Sequence, residues 1–278
     1  MAQVEVTKLV PIRLVISDID GTLVRQDASL AEATVAAFGR LRDAGIQATL
    51  ISGRAPSGMF HLADALDITL PLGAFNGGTI FARNGALIAW SRLDRPVTLT
   101  VLSMSEKAGV DVWIFGENKW YVPTLDNSCI ARERLTSGLE PIVVSNLADV
   151  AVEPDKIICV SENGEMLRML EMDARAALGA TTTIAQSQSW FLDITAHTAN
   201  KGEGILALAD AAGVSLDEVA VIGDMPNDVP MFAHAGMSIA MGQAPFAVRR
   251  CADFVTASNE HNGVALAIDE IVLAGLTA

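Results

Sequence analysis

Two aspartates stand two residues apart in Asp18-Ile19-Asp20-Gly21-Thr22, directly after the apolar run Ile12-Arg13-Leu14-Val15-Ile16-Ser17. Two carboxylates at the tip of a buried strand repel each other, and any anionic ligand, unless a cation or a proton intervenes. That pairing suits a hard metal ion and a phosphate. The carboxyl end of a strand holds such groups rigidly, where open α/β sheets place their ligands. Alone, the same residues also make an ordinary solvated Asp-Gly turn.

Three more pieces follow in chain order. Ile51-Ser52-Gly53-Arg54 ends the next apolar run and offers a hydroxyl and backbone N–H groups ahead of a helix, a cradle for an anion. By itself it is also a common turn. Asn200-Lys201-Gly202 opens a helix, where a cation opposes the macrodipole. Pairing with carboxylates and a phosphate gives Lys201 a reason to be there; a solvated surface lysine is the plain alternative. Val221-Ile222-Gly223-Asp224-Met225-Pro226-Asn227-Asp228 ends a further strand and adds two carboxylates and an amide, with Asp228 also suited to capping its helix. Asp18, Asp20, Asp224 and Asp228 gathered at strand tips require a divalent ion. Oxygen donors without His or Cys select Mg²⁺.

The elements that must position these groups alternate strand and helix at both ends of the chain. Strands are expected at 12–17, 47–51 and 70–74, with a helix over 29–44 opened by a capping box of Ser29 and Glu32 and a second helix over 56–66. Arg83-Asn84-Gly85 marks a hairpin between 79–81 and 86–90. From about residue 94 to 193 the strict alternation is lost, and Trp113, Trp120, Trp190 and the only tyrosine, Tyr121, cluster there. From Lys201 the rhythm resumes. The fold class expected is α/β: a Rossmann-like doubly wound parallel sheet formed by 1–93 and 194–278, interrupted by an inserted α+β cap domain over 94–193.

Bulk properties narrow the function classes. The chain has 278 residues, 51% hydrophobic, with a mean hydropathy of +0.37, enough for a large core. No run reaches the roughly 18 apolar residues of a membrane helix. The first eight residues carry no basic segment leading into an apolar stretch, so no secretory leader is expected. A net charge of −14 disfavours nucleic acid and anionic membranes as partners. Cys129, Cys159 and Cys251 form no CxxC pair, which fits reduced thiols in a cytoplasmic protein, and Cys159 reads as a small core residue. No G-x-G-x-x-G follows the first strand, so a dinucleotide cofactor is not expected.

The order of Asp18-Ile19-Asp20-Gly21-Thr22, Ser52-Gly53-Arg54, Lys201 and Gly223-Asp224-Met225-Pro226-Asn227-Asp228 resembles the haloacid dehalogenase-like phosphatases. The insertion after the second motif, with Ala240-Met241-Gly242-Gln243-Ala244 and Ser258 to Val264, is similar to their Cof-type branch with a C2-type cap. The resemblance implies an Mg²⁺-dependent phosphatase acting on a small phosphorylated metabolite through an aspartyl-phosphate. It implies Asp18 as nucleophile and Asp20 as general acid and base. Asp18, Asp20 (through its carbonyl), Asp224 and Asp228 would serve the metal, the last through water or as an outer group. Ser52, Gly53, Lys201 and Asn227 would hold the phosphoryl oxygens, with Asn76 adding a contact. Trp113, Trp120, Tyr121 and Trp190 are open between stacking on the leaving group and packing the cap; His197 is open between the entrance and a plain loop. A phosphomutase of the same superfamily, or a non-catalytic sugar-phosphate sensor, are the alternatives; release of inorganic phosphate separates them.

Overall fold

The computed structural model describes residues 10–150 and 153–276. The first eight residues, on which the leader expectation rests, lie outside them. The strands β1 (Leu14–Ser17) and β2 (Gln47–Leu50) flank helix α1 (Glu32–Asp43). Helix α2 (Phe60–Ala65) then leads to a small antiparallel sheet of β3 (Leu72–Ala74), β4 (Thr79–Phe81) and β5 (Leu87–Trp90). The Arg83-Asn84-Gly85 turn does close a hairpin, β4 to β5.

The chain next builds a second unit. Helix α3 (Arg95–Ala108) is followed by β6 (Asp111–Gly116), β7 (Lys119–Val122), α4 (Ile130–Ser137), β8 (Pro141–Val143), β9 (Lys156–Val160), α5 (Gly164–Leu178), β10 (Thr182–Gln188) and β11 (Phe191–Ala196). These six strands form one sheet in the order β10-β11-β9-β6-β7-β8. All its pairings are antiparallel except β7 with β8. The chain then returns through α6 (Lys201–Ala212), β12 (Val219–Gly223), α7 (Val229–Phe232), β13 (Met237–Ala240), α8 (Phe246–Arg249), β14 (Phe254–Val255) and α9 (Gly263–Leu266). The main sheet is parallel throughout, ordered β14-β13-β12-β1-β2, so β1 and β12 lie side by side although their paired residues, such as Leu14 and Val219, are 205 apart in the chain.

The central strands β1 and β12 of the main sheet are buried on both faces, which is why they read as unbroken apolar runs. Val15 packs with Phe38 and Leu41 of α1 and with Ala265 of α9, while Leu14 and Ile16 pack with Ile205 and Leu208 of α6. This is the doubly wound arrangement with an inserted α+β cap that the sequence predicts. Among the described residues no helix is long and apolar enough to cross a membrane.

Two local expectations fail. The helix expected from Ser29 begins at Glu32, with Ala31 as an uncapped start. Leu30 is instead drawn into a bridge with Val24, and the Arg25 N–H donates to the Ser29 carbonyl, so residues 24–30 form a loop folded over the strand tip. The stretch expected as one helix over 56–66 splits at Met59 into a 3₁₀ turn, Pro56–Gly58, and α2. In the first case long-range pairing outweighs local helical preference.

The cap sheet uses its two faces differently. Ile157, Cys159, Leu192 and Ile194 pack beneath α3 and α5, and burial pushes the Cys159 thiol up to about 12. Trp113, Phe115, Trp120, Ile158 and Phe191 form the other face and join the core that holds Phe75 and Phe81. Trp120 stacks on Phe115 with centroids 5.8 Å apart and meets Trp113 edge-on at 5.2 Å. Both tryptophans are fully buried, which resolves them as packing residues. Tyr121 is half-buried against the α3–α5 layer. Trp120→Ala should therefore cost about 3–5 kcal/mol in a urea titration. A loss below about 1 kcal/mol would contradict its place at the centre of this layer.

Candidate active site

The tips of β1 and β12 are fastened together by the Asp18 N–H donating to the Ile222 carbonyl at 2.9 Å. This places Asp18 beside the loop that begins at Gly223. Gly21 completes the turn with φ of +79°, and a Cβ there would strike the Asp224 carboxylate. Only glycine lets this turn pass so close to a charged group. Carboxylate oxygens of Asp18, Asp224 and Asp228 all lie within 4.8 Å of one another, and all three residues are buried.

Lys201 explains how the cluster is held. It is the first residue of α6, whose start is capped by Asn200 accepting from the Glu203 N–H at 3.1 Å. Its ammonium is 1% exposed and donates to Asp18 Oδ1 and, at 2.6 Å, to Asp228 Oδ1. Burial opposes its charge, but Asp18 and Asp228 outweigh that and raise its pKa above the ordinary lysine range. Burial pushes the Asp18 carboxyl up to about 7 even against the pull of Lys201. Asp224, buried beside Asp18 and Asp228, rises to about 8. One ammonium among three buried carboxylates leaves the cluster short of positive charge.

The donor set fits a hard divalent ion. Asp18 and Asp224 supply oxygens in a site without His or Cys, and burial together with neighbouring carboxylate charge raises both carboxyls, so a cation would be favoured between them. Asp228 stands differently. Its Oδ1 takes Lys201, and its Oδ2 accepts the N–H groups of both Asp224 and Met225 at 2.8 Å. Both its oxygens are engaged, so it braces the loop that aims Asp224. Thr22 Oγ1 donates to Asp224 Oδ1 at 3.2 Å from the opposite side.

The remaining expected residues ring the same cavity, a space of about 50 Å³ lined by Asp18, Asp20, Ser52, Gly53, Asp224 and Asn227 among others. Ser52 is buried at the end of β2, its N–H donating to the Gly73 carbonyl and its Oγ accepting from the Arg54 N–H. Asn227 Nδ2 donates to Asn76 Oδ1 at 3.0 Å. His197 is exposed and outside this cavity. A wider mouth of about 860 Å³ adjoins it, edged by Arg25, Arg132, Gln188 and Trp190. Arg132 lies 5.1 Å from the Trp190 ring centre, so Trp190 alone of the aromatic candidates borders the entrance.

Several residues at the cavity were not singled out from sequence. Arg54, 5% exposed, grips Asp20 with two parallel bonds of 2.9 and 2.8 Å and ties itself to the Gly58 carbonyl. The cap contributes Glu133 from α4, Lys156 from β9 and Asp193 from β11. Burial pushes the Glu133 carboxyl up to about 7, with Lys156 opposing the rise. The one signal available was a lone charge in an otherwise apolar strand, as in Lys156-Ile157-Ile158-Cys159-Val160 and Phe191-Leu192-Asp193-Ile194.

Residues 15–268 match the family model of the haloacid dehalogenase-like hydrolases. A 5-amino-6-(5-phospho-D-ribitylamino)uracil phosphatase of Bacillus subtilis is 29% identical, with 92% of this chain and 96% of that protein covered. An HMP-PP phosphatase of Citrobacter koseri is 27% identical over 84% of this chain and 85% of its own. Among solved structures, a haloacid dehalogenase-like hydrolase of B. subtilis superposes with a TM-score of 0.83 at 22% identity, covering 94% of this chain and 100% of that one. A sugar phosphatase of subclass IIB superposes with a TM-score of 0.80 at 24% identity, covering 93% and 98%. With nearly the whole chain matched, this protein belongs to the haloacid dehalogenase-like hydrolase family.

Proposed function

We propose that this enzyme is an Mg²⁺-dependent phosphatase that hydrolyses small phosphorylated metabolites through a phosphoryl group carried on Asp18. The observation that carries this reading is the buried Lys201 ammonium spanning Asp18 and Asp228, with the buried Asp224 carboxylate converging on the same point. The phosphatase names of relatives matched along most of their length support hydrolysis over transfer between hydroxyls. Residues 94–193 would act as the lid over the core formed by 1–93 and 194–278.

Phosphate monoesters hydrolyse so slowly in water that rate enhancements reach about 10²¹-fold. Their transition state is loose, so alignment and charge neutralisation do most of the catalysis. Asp18 attacks phosphorus in line; the bond to the ester oxygen breaks, and that oxygen takes a proton from the Asp20 carboxyl. Water then attacks phosphorus, Asp20 receives its proton, and the bond to Asp18 breaks to release inorganic phosphate. Arg54 occupies one lone pair on each oxygen of Asp20. A carboxylate has about four such sites, so Asp20 keeps a position open for the leaving group's proton. Lys201 orients Asp18 and offers positive charge to the phosphoryl oxygens, and Ser52, Gly53 and Asn227 complete their cradle. Asp18, the Asp20 carbonyl and Asp224 would hold the ion, with Asp228 bracing them. When bound, Mg²⁺ supplies the positive charge that offsets these carboxylates and the phosphate. The mouth beside Arg132, Gln188 and Trp190 admits a polar leaving group such as a sugar or a ribityl chain.

Asp18→Asn should lower phosphate release by at least about 10⁴-fold. Because it removes a buried carboxylate, the thermal midpoint should hold or rise; retained turnover in the folded variant would end the assignment. Mg²⁺ affinity should also depend on pH in a defined direction. Asp18 and Asp224 hold protons up to about 7 and 8, and an ion binds only their deprotonated forms. Apparent affinity should therefore fall as pH drops below 8, by up to about tenfold per unit for each proton displaced. Calorimetry at pH 6.5 and 8.5, in two buffers of different ionisation enthalpy, reads both the affinity and the released protons. Equal affinity at the two values would contradict this electrostatic account.

A further inference from the structure

The face of the cap sheet that meets the core is built on Trp113, Phe115, Trp120, Ile158 and Phe191, and it also buries two charged residues, Lys156 and Asp193. Ile158 of β9 stands opposite Asp193 of β11, so Lys156, two residues before Ile158, lies diagonal to Asp193 on that face. The pair is 3% and 2% exposed, with the ammonium 3.7 Å from Asp193 Oδ2. A buried ion pair this loose does not repay its desolvation unless other partners complete it. Those partners lie in the core. Lys156 Nζ donates to the Gly53 carbonyl at 2.6 Å, between the rings of Phe75 and Phe115 at 5.8 and 5.1 Å. Asp193 Oδ2 accepts from Asn76 Nδ2 at 3.3 Å, and Asn76 Oδ1 in turn accepts from Asn227 Nδ2 at 3.0 Å.

Both contacts fall on the loops that form the phosphoryl cradle. The Gly53 peptide follows Ser52. Asn76 sits in the left-handed region, φ +59°, at the end of β3, buried and fixed by its N–H donating to the Ser52 carbonyl. The approach is tight: a Cβ on Gly53 would meet Asp193 Oδ2 at 3.3 Å and Asn76 Oδ1 at 3.4 Å. Among the described residues no other hydrogen bond ties the Asn76 side chain to the cap. Asp193 Oδ1 stays buried without a partner at the cavity wall, which marks the pair as part of the site and not of the cap's own packing.

We propose that Lys156 and Asp193 are positioning residues for the phosphoryl cradle. Lys156 fixes the Gly53 peptide and Asp193 orients the Asn76–Asn227 amide chain, so the cradle reaches its binding geometry only while the cap is seated. This rests on the phosphatase reading. It makes phosphate affinity, and not leaving-group choice, the property these two cap residues control.

The test compares Lys156→Met and Asp193→Leu with the conservative Lys156→Arg and Asp193→Asn, in the full chain with Mg²⁺. Inorganic phosphate is titrated calorimetrically, and kcat/KM is measured for p-nitrophenyl phosphate and glycerol 3-phosphate. Lys156→Met and Asp193→Leu should each weaken phosphate binding roughly ten- to hundredfold and lower kcat/KM by a like factor for both esters. Asp193→Asn, which can still accept from Asn76, should recover most of the loss. If one apolar variant fails to fold, the other is read alone; if both fail, Asp193→Ser is read against Asp193→Asn. Unchanged phosphate binding overturns the proposal, whether kcat/KM is lost for one ester only, which would make the pair a leaving-group reader, or melting alone changes. A wild type that releases no phosphate from any ester overturns the phosphatase reading instead, and the phosphate titration still judges the pair.

Discussion

One ammonium holds the site together. Lys201 bridges carboxylates from β1 and the loop after β12, and every other feature of the centre follows from the charge it does and does not neutralise. Burying three carboxylates is costly, and a single paired lysine offsets only part of that cost. What remains appears as the upward displacement of Asp18 and Asp224. A cluster in this state is under-charged for binding phosphate and over-charged for folding alone. In the proposed mechanism both deficits have the same remedy, a divalent cation and an anionic substrate arriving together.

That electrostatic demand explains the architecture around it. The helix dipole opposes Lys201 at the start of α6, so the site must hold it by stronger partners. Asp228 provides one by spending its other oxygen on two backbone N–H groups, which converts a flexible loop into a fixed platform for Asp224. Gly21 performs the complementary task by letting the first loop close onto Asp224 without a side chain in between. The parallel sheet contributes rigidity: β1 and β12 are hydrogen-bonded neighbours buried on both faces, so the two acidic tips cannot drift apart without breaking the core.

How far the sequence disclosed this depends on the range of the interaction that fixes each residue. Asp18, Lys201 and Asp224 were legible because their chemistry is local, a charge at a strand tip or helix start where a charge has no structural business. The apolar runs of β1 and β12 were legible because double burial removes all alternation. Ser29 misled, since a capping box is a local preference and the Val24–Leu30 bridge is a tertiary one. The parallel pairing of β8 with β7 went unseen because Pro141-Ile142-Val143 is short and half exposed, with no period to read. Arg54 was quoted within its motif, yet its grip on Asp20 is set by the turn at Gly58 and not by spacing.

The cap marks the boundary of what pattern reading reaches. Trp113 and Trp120 drew attention as large rings, yet they are fully buried and supply the apolar surface on which the cap meets the core. Lys156 and Asp193 drew none, because a lone charge in an apolar strand gains its meaning only when the register shows both on the same face. An apolar face would seat the cap by itself, and a buried charge pair weakens that seating unless its core partners are in place. Acting as proposed, the pair makes closure conditional on the conformation of Gly53 and Asn76, in the two loops assigned to the phosphoryl group. Aromatic burial supplies the affinity of cap for core, and the buried charges supply its register against the phosphate loops. A cap held by greasy surface alone could slide by an ångström without cost, and in-line attack on phosphorus does not tolerate that freedom.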